Sequence, residues 1–255
     1  ARVMSDAPAL LVDLGNTRVK WALLRDGALG PASAVVHAGA GIAAALRPSW
    51  GALPRPGRVL VGSVAGTECG DELRRLCRAL WACEPELVAA VAQAAGVTSG
   101  YDSPDRLGVD RWLALLAAHA DRRGAACVVD CGTAVTIDLL DAAGRHRGGL
   151  ILPGLGLMRD CLLSRTRIPP VAPPQARADL GRDTGAAIAN GALLAIAGAV
   201  RETLARATDL CGSVPRLVVA GGEAVALAAL FGATAEQRPD LVLEGLAVLA
   251  GTEET

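Results

Sequence analysis

Aromatic residues and long apolar runs are both scarce in this sequence. Its 255 residues include four tryptophans, one tyrosine and one phenylalanine, although 52% of the residues are apolar. A chain of this length and composition can bury a large core, so we expect a globular protein rather than a disordered one. No stretch reaches the roughly 18 apolar residues of a transmembrane helix, and the first residues lack a signal-peptide pattern. We therefore expect a cytoplasmic protein without a membrane partner.

An excess of one charge is also missing. The sequence has 25 Lys and Arg against 26 Asp and Glu, for a net charge of −1. The interspersed signs exclude a basic surface for nucleic acid. The seven cysteines include no C-x-x-C pair, which is typical of reduced, buried thiols. Cys127 and Cys131 are badly spaced for a metal on a strand, so we expect no zinc site.

Two familiar catalytic patterns are absent as well. The loop G-x-x-x-x-G-K-[ST] does not occur, which excludes a P-loop nucleotide site. No serine or cysteine stands in a nucleophile elbow, so the sequence gives no support to covalent catalysis.

The most informative stretch reads L-V-D-L-G-N-T-R-V-K. A short apolar strand leads into a polar turn and a second strand. Gly15 and Asn16 tolerate positive φ, so they predict a two-residue hairpin turn. Such a turn would gather Asp13, the backbone N–H groups, the Thr17 hydroxyl and Lys20, the chain's single lysine. This is the set of groups that a metal-chelated triphosphate requires.

The same pattern returns in the second half of the chain as V-V-D-C-G-T-A-V-T-I-D. The leading aspartates, Asp13 and Asp130, lie 117 positions apart (130 minus 13), close to half of the chain. This spacing predicts two related halves, residues 8–122 and 125–252, with a ligand in the cleft between them. For the first pattern taken alone, an ordinary hairpin with a solvated loop remains the alternative.

A loop rich in glycine and polar residues runs from Gln93 to Val109 and contains Tyr101, the chain's single tyrosine. Loops of this kind often carry function. Asp110 follows the loop at the start of a predicted helix, where it is either a helix cap or an acid–base group.

Together these groups suit phosphoryl transfer, which needs positioning, charge neutralisation and a carboxylate for the acceptor's proton. In this interpretation Asp13 acts through Mg²⁺ and Asp110 is the base. The amides of residues 15–17 and Thr133 would hold phosphates. The G-G-E turn at Gly221 would let a strand end approach the nucleotide.

The spacing of apolar residues and the positions of the prolines predict the helices and one connector. A short helix over 41–46 should stop before Pro48. A proline-rich connector should cover residues 168–174. The other predicted helices cover residues 67–83, 111–122, 184–207, 224–230 and 241–249, and a further helix should follow residues 153–156 and end near residue 163.

Several blocks of this sequence, in one order, resemble the type III pantothenate kinase family. Their combination is far more specific than any one block, and they span roughly residues 11–250. The blocks are D-L-G-N-T-R-V-K at 13–20, Tyr101 with L-G-V-D-R-W at 107–112, D-C-G-T-A-V-T-I-D at 130–138, G-G at 148–149 with P-G at 153–154, and T-G-A-A-I-A-N-G at 184–191.

The resemblance implies an α/β fold of the ASKHA type, the superfold of actin and sugar kinases. Its two ribonuclease H-like halves would each carry a mixed sheet flanked by helices. It also implies a homodimeric, cytoplasmic enzyme that uses ATP to phosphorylate pantothenate to 4′-phosphopantothenate, the first step of coenzyme A biosynthesis. The implied cofactors are Mg²⁺ and a monovalent cation, K⁺ or NH₄⁺.

The resemblance assigns roles to individual residues. Asp110 would accept the proton, Asp130 would bind the monovalent cation, and Asp13 would act through Mg²⁺. The ATP-binding residues would be Asp13, Leu14, Gly15, Asn16, Thr17, Arg18, Val19, Lys20 and Thr133. The pantothenate-binding residues would be Tyr101, Gly108, Val109, Asp110, Arg111 and Thr184, the last near the dimer interface.

Two positions depart from the family pattern. Asp183 stands before Thr184, where asparagine or serine is usual, and its carboxylate could repel an anionic substrate. Glu223 replaces the aspartate or asparagine of the late glycine turn. Neither change touches the proposed base, so we expect an active enzyme.

Two rival interpretations remain, and one of them comes from another functional class. One is a sugar kinase or polyphosphate hydrolase on the same superfold, which the Tyr101 and G-V-D-R-W block argues against. The other is a non-catalytic regulator that keeps the nucleotide site, although such a protein would not need Asp110.

Overall fold

A computed structural model describes residues 7–37, 41–122, 124–169, 176–177 and 179–252 of the chain. Residues 170–174 of the predicted proline-rich connector lie outside this part. Within the described residues the chain forms thirteen strands and seven α-helices. The strands are β1 (Ala9–Leu14), β2 (Arg18–Arg25), β3 (Ala28–Leu29), β4 (Ser33–Val36), β5 (Arg58–Ser63), β6 (Glu86–Val88), β7 (Gln93–Ala94), β8 (Val97–Thr98), β9 (Ala126–Cys131), β10 (Ala134–Leu140), β11 (His146–Pro153), β12 (Arg216–Ala220) and β13 (Ala235–Gln237). The helices are α1 (Ile42–Trp50), α2 (Thr67–Trp81), α3 (Val109–Asp121), α4 (Leu155–Arg165), α5 (Thr184–Cys211), α6 (Ala224–Ala228) and α7 (Leu241–Thr252).

The chain divides into two compact units. The first comprises Ala1–Ala120 and Asp240–Thr255, and the second comprises Asp121–Pro239. The predicted second half included residues 240–252, whereas the structure groups them with the first unit. The reason is that α7 packs against β1, β2 and β5.

The first unit is built on a sheet in the order β3-β2-β1-β5-β6, with β4 also paired to β2. β1 is antiparallel to β2 and parallel to β5. Alternate residues of β1, such as Leu10 and Val12, belong to a buried cluster with side chains of α1 and α2. On β5, Gly62 leaves room for the side chain of Leu113 from α3. The sheet therefore lies between two helical layers.

A cluster of three tryptophans explains why α1 extends beyond its predicted end. The helix continues through Pro48 to Trp50, which is fully buried. Trp50 stacks on Trp81 with ring centroids 5.4 Å apart and meets Trp21 edge-on at 6.1 Å. A proline in the last turn removes little of the helix's hydrogen bonding, and burial of an aromatic ring offsets that loss.

The second unit has a five-stranded sheet in the order β11-β10-β9-β12-β13. β9, β10 and β11 form an antiparallel meander, and β12 runs parallel to both β9 and β13. Val129, Ile137 and Val219 from this sheet share a buried cluster with Leu193 and Ile196 of α5. The predicted strand order of the meander is confirmed.

Helix α5 is long and apolar enough, by length and composition, to cross a membrane. Its Leu193, Ile196 and Val200 are buried in the core of the second unit. Packing against a sheet accounts for its apolar face, as in the core helix of many globular proteins.

Candidate functional site

The first hairpin places two predicted ATP-binding residues directly opposite each other. Asp13 on β1 pairs with Lys20 on β2, and both side chains are partly buried. Cross-strand neighbours in an antiparallel pair share one face of the sheet. Leu14 and Val19, the last pair before the loop, are buried on the opposite face. The carboxylate and the ammonium are therefore held on one face by strand register alone.

The loop of this hairpin differs from the predicted two-residue turn. Neither Gly15 nor Asn16 has positive φ; the loop is longer and closes through an N–H bond from Gly15 to the Arg18 carbonyl at 3.0 Å. A Cβ at residue 15 would lie 3.1 Å from that carbonyl oxygen. Glycine is favoured here by a close approach of backbone, and the exposed Asn16 and Thr17 form the tip.

His37 supports the tip of the first hairpin, a contact that the sequence did not predict. Its Nε2 donates to the Gly15 carbonyl at 2.9 Å, and its backbone N–H donates to the Thr17 carbonyl at 3.1 Å. The ring is buried. A lone histidine after a weakly patterned strand carries no local signal of this role.

Lys20 also forms an ion pair within the first unit. Its Nζ lies 3.1 Å from Oδ1 of Asp240, the residue just before α7. The sequence suggested a role for the lysine but gave no sign of this carboxylate.

The predicted pantothenate-binding residues of the first unit meet at the start of α3. The guanidinium of Arg111, which is buried, donates to the Tyr101 hydroxyl at 2.7 Å and lies 5.5 Å from the centre of its ring. Val109 is buried beside them, and Gly108 precedes the helix. A buried cation held against an aromatic ring is suited to an anionic or polar ligand.

Asp110 is the second residue of α3 and not its N-cap. Its Oδ1 accepts the N–H of Arg111 at 2.8 Å, and the Gly108 carbonyl accepts the N–H of Trp112 at 2.9 Å. A Cβ at residue 108 would lie 2.7 Å from the same carboxylate oxygen. Gly108 therefore gives the half-buried carboxylate of Asp110 its space.

The second hairpin is supported by two glycine turns. The N–H of Gly154 donates to the Thr133 carbonyl at 3.0 Å, and that of Glu223 donates to the Cys131 carbonyl at 3.1 Å. A Cβ on Gly154 would lie 2.6 Å from the Thr133 oxygen, and one on Gly221 would lie 2.3 Å from the Cys131 oxygen. The exposed tip with Thr133 is thus fixed by backbone contacts that only glycine permits.

Asp130 lies beside the Gly221 turn. A Cβ on Gly221 would come within 2.4 Å of Asp130 Oδ1 and 2.3 Å of the Cys131 carbonyl oxygen. The Asp130 carboxylate and the Cys131 carbonyl oxygen therefore both lie close to the backbone of Gly221, and hard cations prefer oxygen ligands of these two kinds.

The thiol of Cys131 is not available as a nucleophile. Burial, with the nearby carboxylates of Asp130 and Glu223, raises its pKa to about 12. Burial likewise raises the pKa of Cys77 and of Cys127 to about 12. These protonated thiols agree with the absence of a nucleophile motif.

A cavity of about 490 Å³ lies next to the same glycine turn. Its walls are mostly apolar, with Leu155, Leu193 and Val225 among them, and Glu223 and Arg177 are its charged lining residues. One oxygen of Glu223 accepts the N–H of Leu155, while Oε2 is buried with no hydrogen-bond partner among the described residues. Burial raises the pKa of this carboxyl above its ordinary value. The cavity combines apolar walls with an acceptor suited to a hydroxyl or amino donor.

Thr184 is exposed at the start of α5, and the structure explains the departure at Asp183. The Asp183 side chain caps the helix by accepting the N–H of Ala186 at 2.9 Å. Further along, the buried Asn190 accepts the N–H of Arg177 at 2.8 Å and donates to Asp179. Asp183 therefore has a structural task as the N-cap of α5.

Among the described residues, no group of three or more His, Cys, Asp or Glu side chains could hold a metal ion. A metal site made of protein ligands alone therefore has little support. Mg²⁺ bound to a nucleotide needs only one or two carboxylates, with phosphates and water as its other ligands. The half-buried Asp13 fits this requirement. The carboxylate of Asp130 is likewise an oxygen ligand of the type that a monovalent cation prefers.

Curated relatives match nearly the whole chain. A type III pantothenate kinase of Nitrosococcus oceani is 38% identical over 248 residues, which cover 94% of this chain and 93% of the relative. A type III pantothenate kinase of Dechloromonas aromatica is 40% identical over 240 residues and covers 94% and 97%.

Solved structures agree on the fold. A Baf family protein of Campylobacter jejuni has a TM-score of 0.61 at 16% identity, covering 96% of this chain and all of that one. MreB of Spiroplasma citri, solved with AMPPNP, has a TM-score of 0.53 at 12% identity and covers 98% of each chain. These likenesses confirm the predicted actin-like α/β fold with two mixed sheets.

A family model described as type III pantothenate kinase matches residues 9–206. The match includes both hairpins and the whole cluster at the start of α3. The chain therefore belongs to the type III pantothenate kinase family.

Proposed function

We propose that this protein transfers the γ-phosphoryl group of ATP to the primary hydroxyl of pantothenate, with Asp110 as the general base. The observation that carries the proposal is the cluster of Tyr101, Asp110 and Arg111 at the start of α3. The cluster supplies a carboxylate for the proton and a buried cation for the substrate. The products would be 4′-phosphopantothenate and ADP, in the first step of coenzyme A biosynthesis.

Asp110 would take the hydroxyl proton as the oxygen of pantothenate attacks the γ-phosphorus. The bond from that phosphorus to the bridging β,γ-oxygen breaks, and ADP leaves with the electron pair. Arg111 would bind the carboxylate or amide of pantothenate, because its guanidinium offers several donors in a fixed plane. Tyr101 holds the guanidinium in place through the 2.7 Å hydrogen bond.

The hairpin of each unit carries groups of the kind that bind phosphates. In the first unit the amides of residues 15–17 and the Lys20 ammonium supply donors, and Asp13 supplies a ligand for Mg²⁺, which neutralises phosphate charge. In the second unit Thr133 would contact the phosphates, and Asp130 would hold K⁺ or NH₄⁺ beside Gly221.

The adenosine of ATP would occupy the cavity beside the Gly221 turn. Its volume of about 490 Å³ is ample for a nucleoside. Apolar side chains would contact the adenine ring, and Glu223 Oε2 would accept a hydrogen bond from a hydroxyl or amino group.

A second copy of this chain would cover an apolar strip on the second unit. Leu150 and Ile151 on the edge strand β11 are 49% and 65% exposed, and Leu157 and Leu162 on α4 are 46% and 41% exposed. Exposed apolar residues along a sheet edge are typical of an interface. The homodimer, with Thr184 near its interface, follows from the family resemblance.

The dimer is tested by light scattering after chromatography. Ile151→Glu should convert the dimer to monomer, whereas Val214→Glu, at a valine that is 80% exposed outside the strip, should leave it dimeric. A wild-type monomer would contradict this part of the proposal.

The activity is tested by measuring ATP-dependent phosphorylation of pantothenate with and without K⁺. Asp110→Asn should lower kcat by about a hundred- to ten-thousandfold, since a positioned general base contributes that much. Asp105→Asn, at an exposed carboxylate in the preceding loop, is the matched control and should retain wild-type kcat.

Each negative result of the activity assay would contradict a different part of the proposal. Equal rates for Asp110→Asn and wild type would leave Asp110 a structural role only. Activity that does not depend on K⁺ would contradict the proposal that Asp130 binds a monovalent cation. ATP binding without phosphorylation of pantothenate would favour a regulator, and transfer to a sugar would favour the rival kinase.

A further inference from the structure

The ion pair between Lys20 and Asp240 connects two parts of the chain that are distant in sequence. The Lys20 Nζ lies 3.1 Å from Asp240 Oδ1, and the side chains are 22% and 34% exposed. Lys20 lies opposite Asp13 in the sheet, on the face that also contacts α7. The pair is therefore next to the carboxylate that we assign to Mg²⁺.

Asp240 itself is held firmly by the helix that follows. Its carbonyl accepts the N–H of Glu244 at 3.0 Å, which starts α7. Within α7, Gly245 meets the backbone of α3, since a Cβ at 245 would lie 2.1 Å from the Leu113 carbonyl oxygen. Because α3 begins with Val109 and Asp110, α7 links the carboxylate of Asp240 to the same helix as the proposed base.

We infer that Asp240 is a positioning residue, which holds the Lys20 ammonium where the ATP phosphates bind. An isolated lysine side chain samples many rotamers, and holding it in one of them costs entropy. An ammonium has three N–H donors, so a bond to Asp240 is compatible with a bond to a phosphate oxygen. Fixing the lysine in advance removes part of the entropy cost of binding. The inference rests on the proposed role of Lys20 in ATP binding.

A double-mutant cycle tests the inference by steady-state kinetics in both substrates. Lys20→Met should raise the KM for ATP at least tenfold. Asp240→Asn should raise it about three- to fivefold, as expected for a partly exposed ion pair. Both should leave the KM for pantothenate within about twofold. In the double variant the KM for ATP should equal that of Lys20→Met alone, since Asp240 acts only through the lysine.

Two controls separate positioning from general loss of stability. Asp240→Glu keeps the charge and should restore most of the ATP affinity. Glu86→Gln breaks a comparable ion pair to Arg58 in the same sheet, at 2.7 Å, and should leave both KM values unchanged. Thermal melting of each variant confirms that it is folded.

The outcomes distinguish the inference from the proposal beneath it. If Lys20→Met leaves the KM for ATP unchanged, Lys20 does not bind ATP. The proposed role of Asp240 is then wrong as well, because it depends on that of Lys20. If Lys20→Met weakens ATP binding but Asp240→Asn does not, or if the two effects add fully, only the role of Asp240 is overturned.

Discussion

The two hairpins share the pattern Asp-x-Gly but reach it with different loops. In the first, Leu14 pairs with Val19 and residues 15–18 lie between them. In the second, Cys131 pairs with Val135 and residues 132–134 lie between them. The additional residue makes the first tip longer and leaves Asn16 and Thr17 exposed.

Their supports differ even more than their loops. A histidine side chain holds the first tip through the Gly15 carbonyl, whereas backbone N–H groups from two glycine turns hold the second. A side-chain support can be exchanged for another donor. A support made of backbone in close contact tolerates no Cβ. The same sequence pattern is therefore expected to respond very differently to substitution in the two units.

The largest effect should come from Gly221→Ala. This glycine has φ of +91°, and a Cβ there would lie 2.3 Å from the Cys131 carbonyl oxygen. Left-handed backbone and overpacking each cost about 1–3 kcal/mol, so we expect a loss of about 3 kcal/mol or more in the free energy of unfolding. Urea denaturation measures it, and a fall in kcat should accompany it because Asp130 must move.

The matched control is Gly156→Ala in α4, where a Cβ meets nothing within 4 Å. Alanine favours helix over glycine by up to about 1 kcal/mol, so this variant should be as stable as wild type or more so. Equal losses in the two variants would show that the close approach at residue 221 is unimportant.

An intermediate effect is expected at His37. His37→Ala removes the donor to the Gly15 carbonyl and should cost about 1–3 kcal/mol in unfolding free energy. The looser tip should raise the KM for ATP while leaving that for pantothenate unchanged. His37→Gln offers an amide donor and should recover part of both losses. Similar increases in both KM values would contradict a role confined to this hairpin.

Local patterns were sufficient to predict both hairpins, the meander and the helix that begins near Asp110. They came from strand alternation, glycine turns and helical spacing, which act over a few residues. The prediction of a positive φ at Gly15 was wrong. The loop has an additional residue and closes without left-handed backbone.

Contacts between distant residues could not be predicted in the same way. His37 reaches Gly15, and Asp240 reaches Lys20, only after the sheet and α7 have formed. The place of α7 in the first unit depends on a glycine at 245 that fits the α3 backbone, a property that no local pattern reveals. The roles of Asp110, Asp130 and Thr184 came from the family resemblance and stay predictions.

The smallest effect should be a pH dependence at Glu223, which belongs to the support of the second hairpin. Burial raises the pKa of this carboxyl above its ordinary value of 4.5. The folded state therefore favours the protonated form, and wild type loses this stability as the pH rises through the folded pKa. Glu223→Gln does not titrate, and its amide oxygen can still accept the N–H of Leu155. The melting temperature of the variant relative to wild type should rise by about 1–3 °C between acidic and neutral pH. If this difference in melting temperature stays constant or shrinks as the pH rises, the carboxylate of Glu223 is well solvated. The adjoining cavity would then not contain a desolvated acceptor.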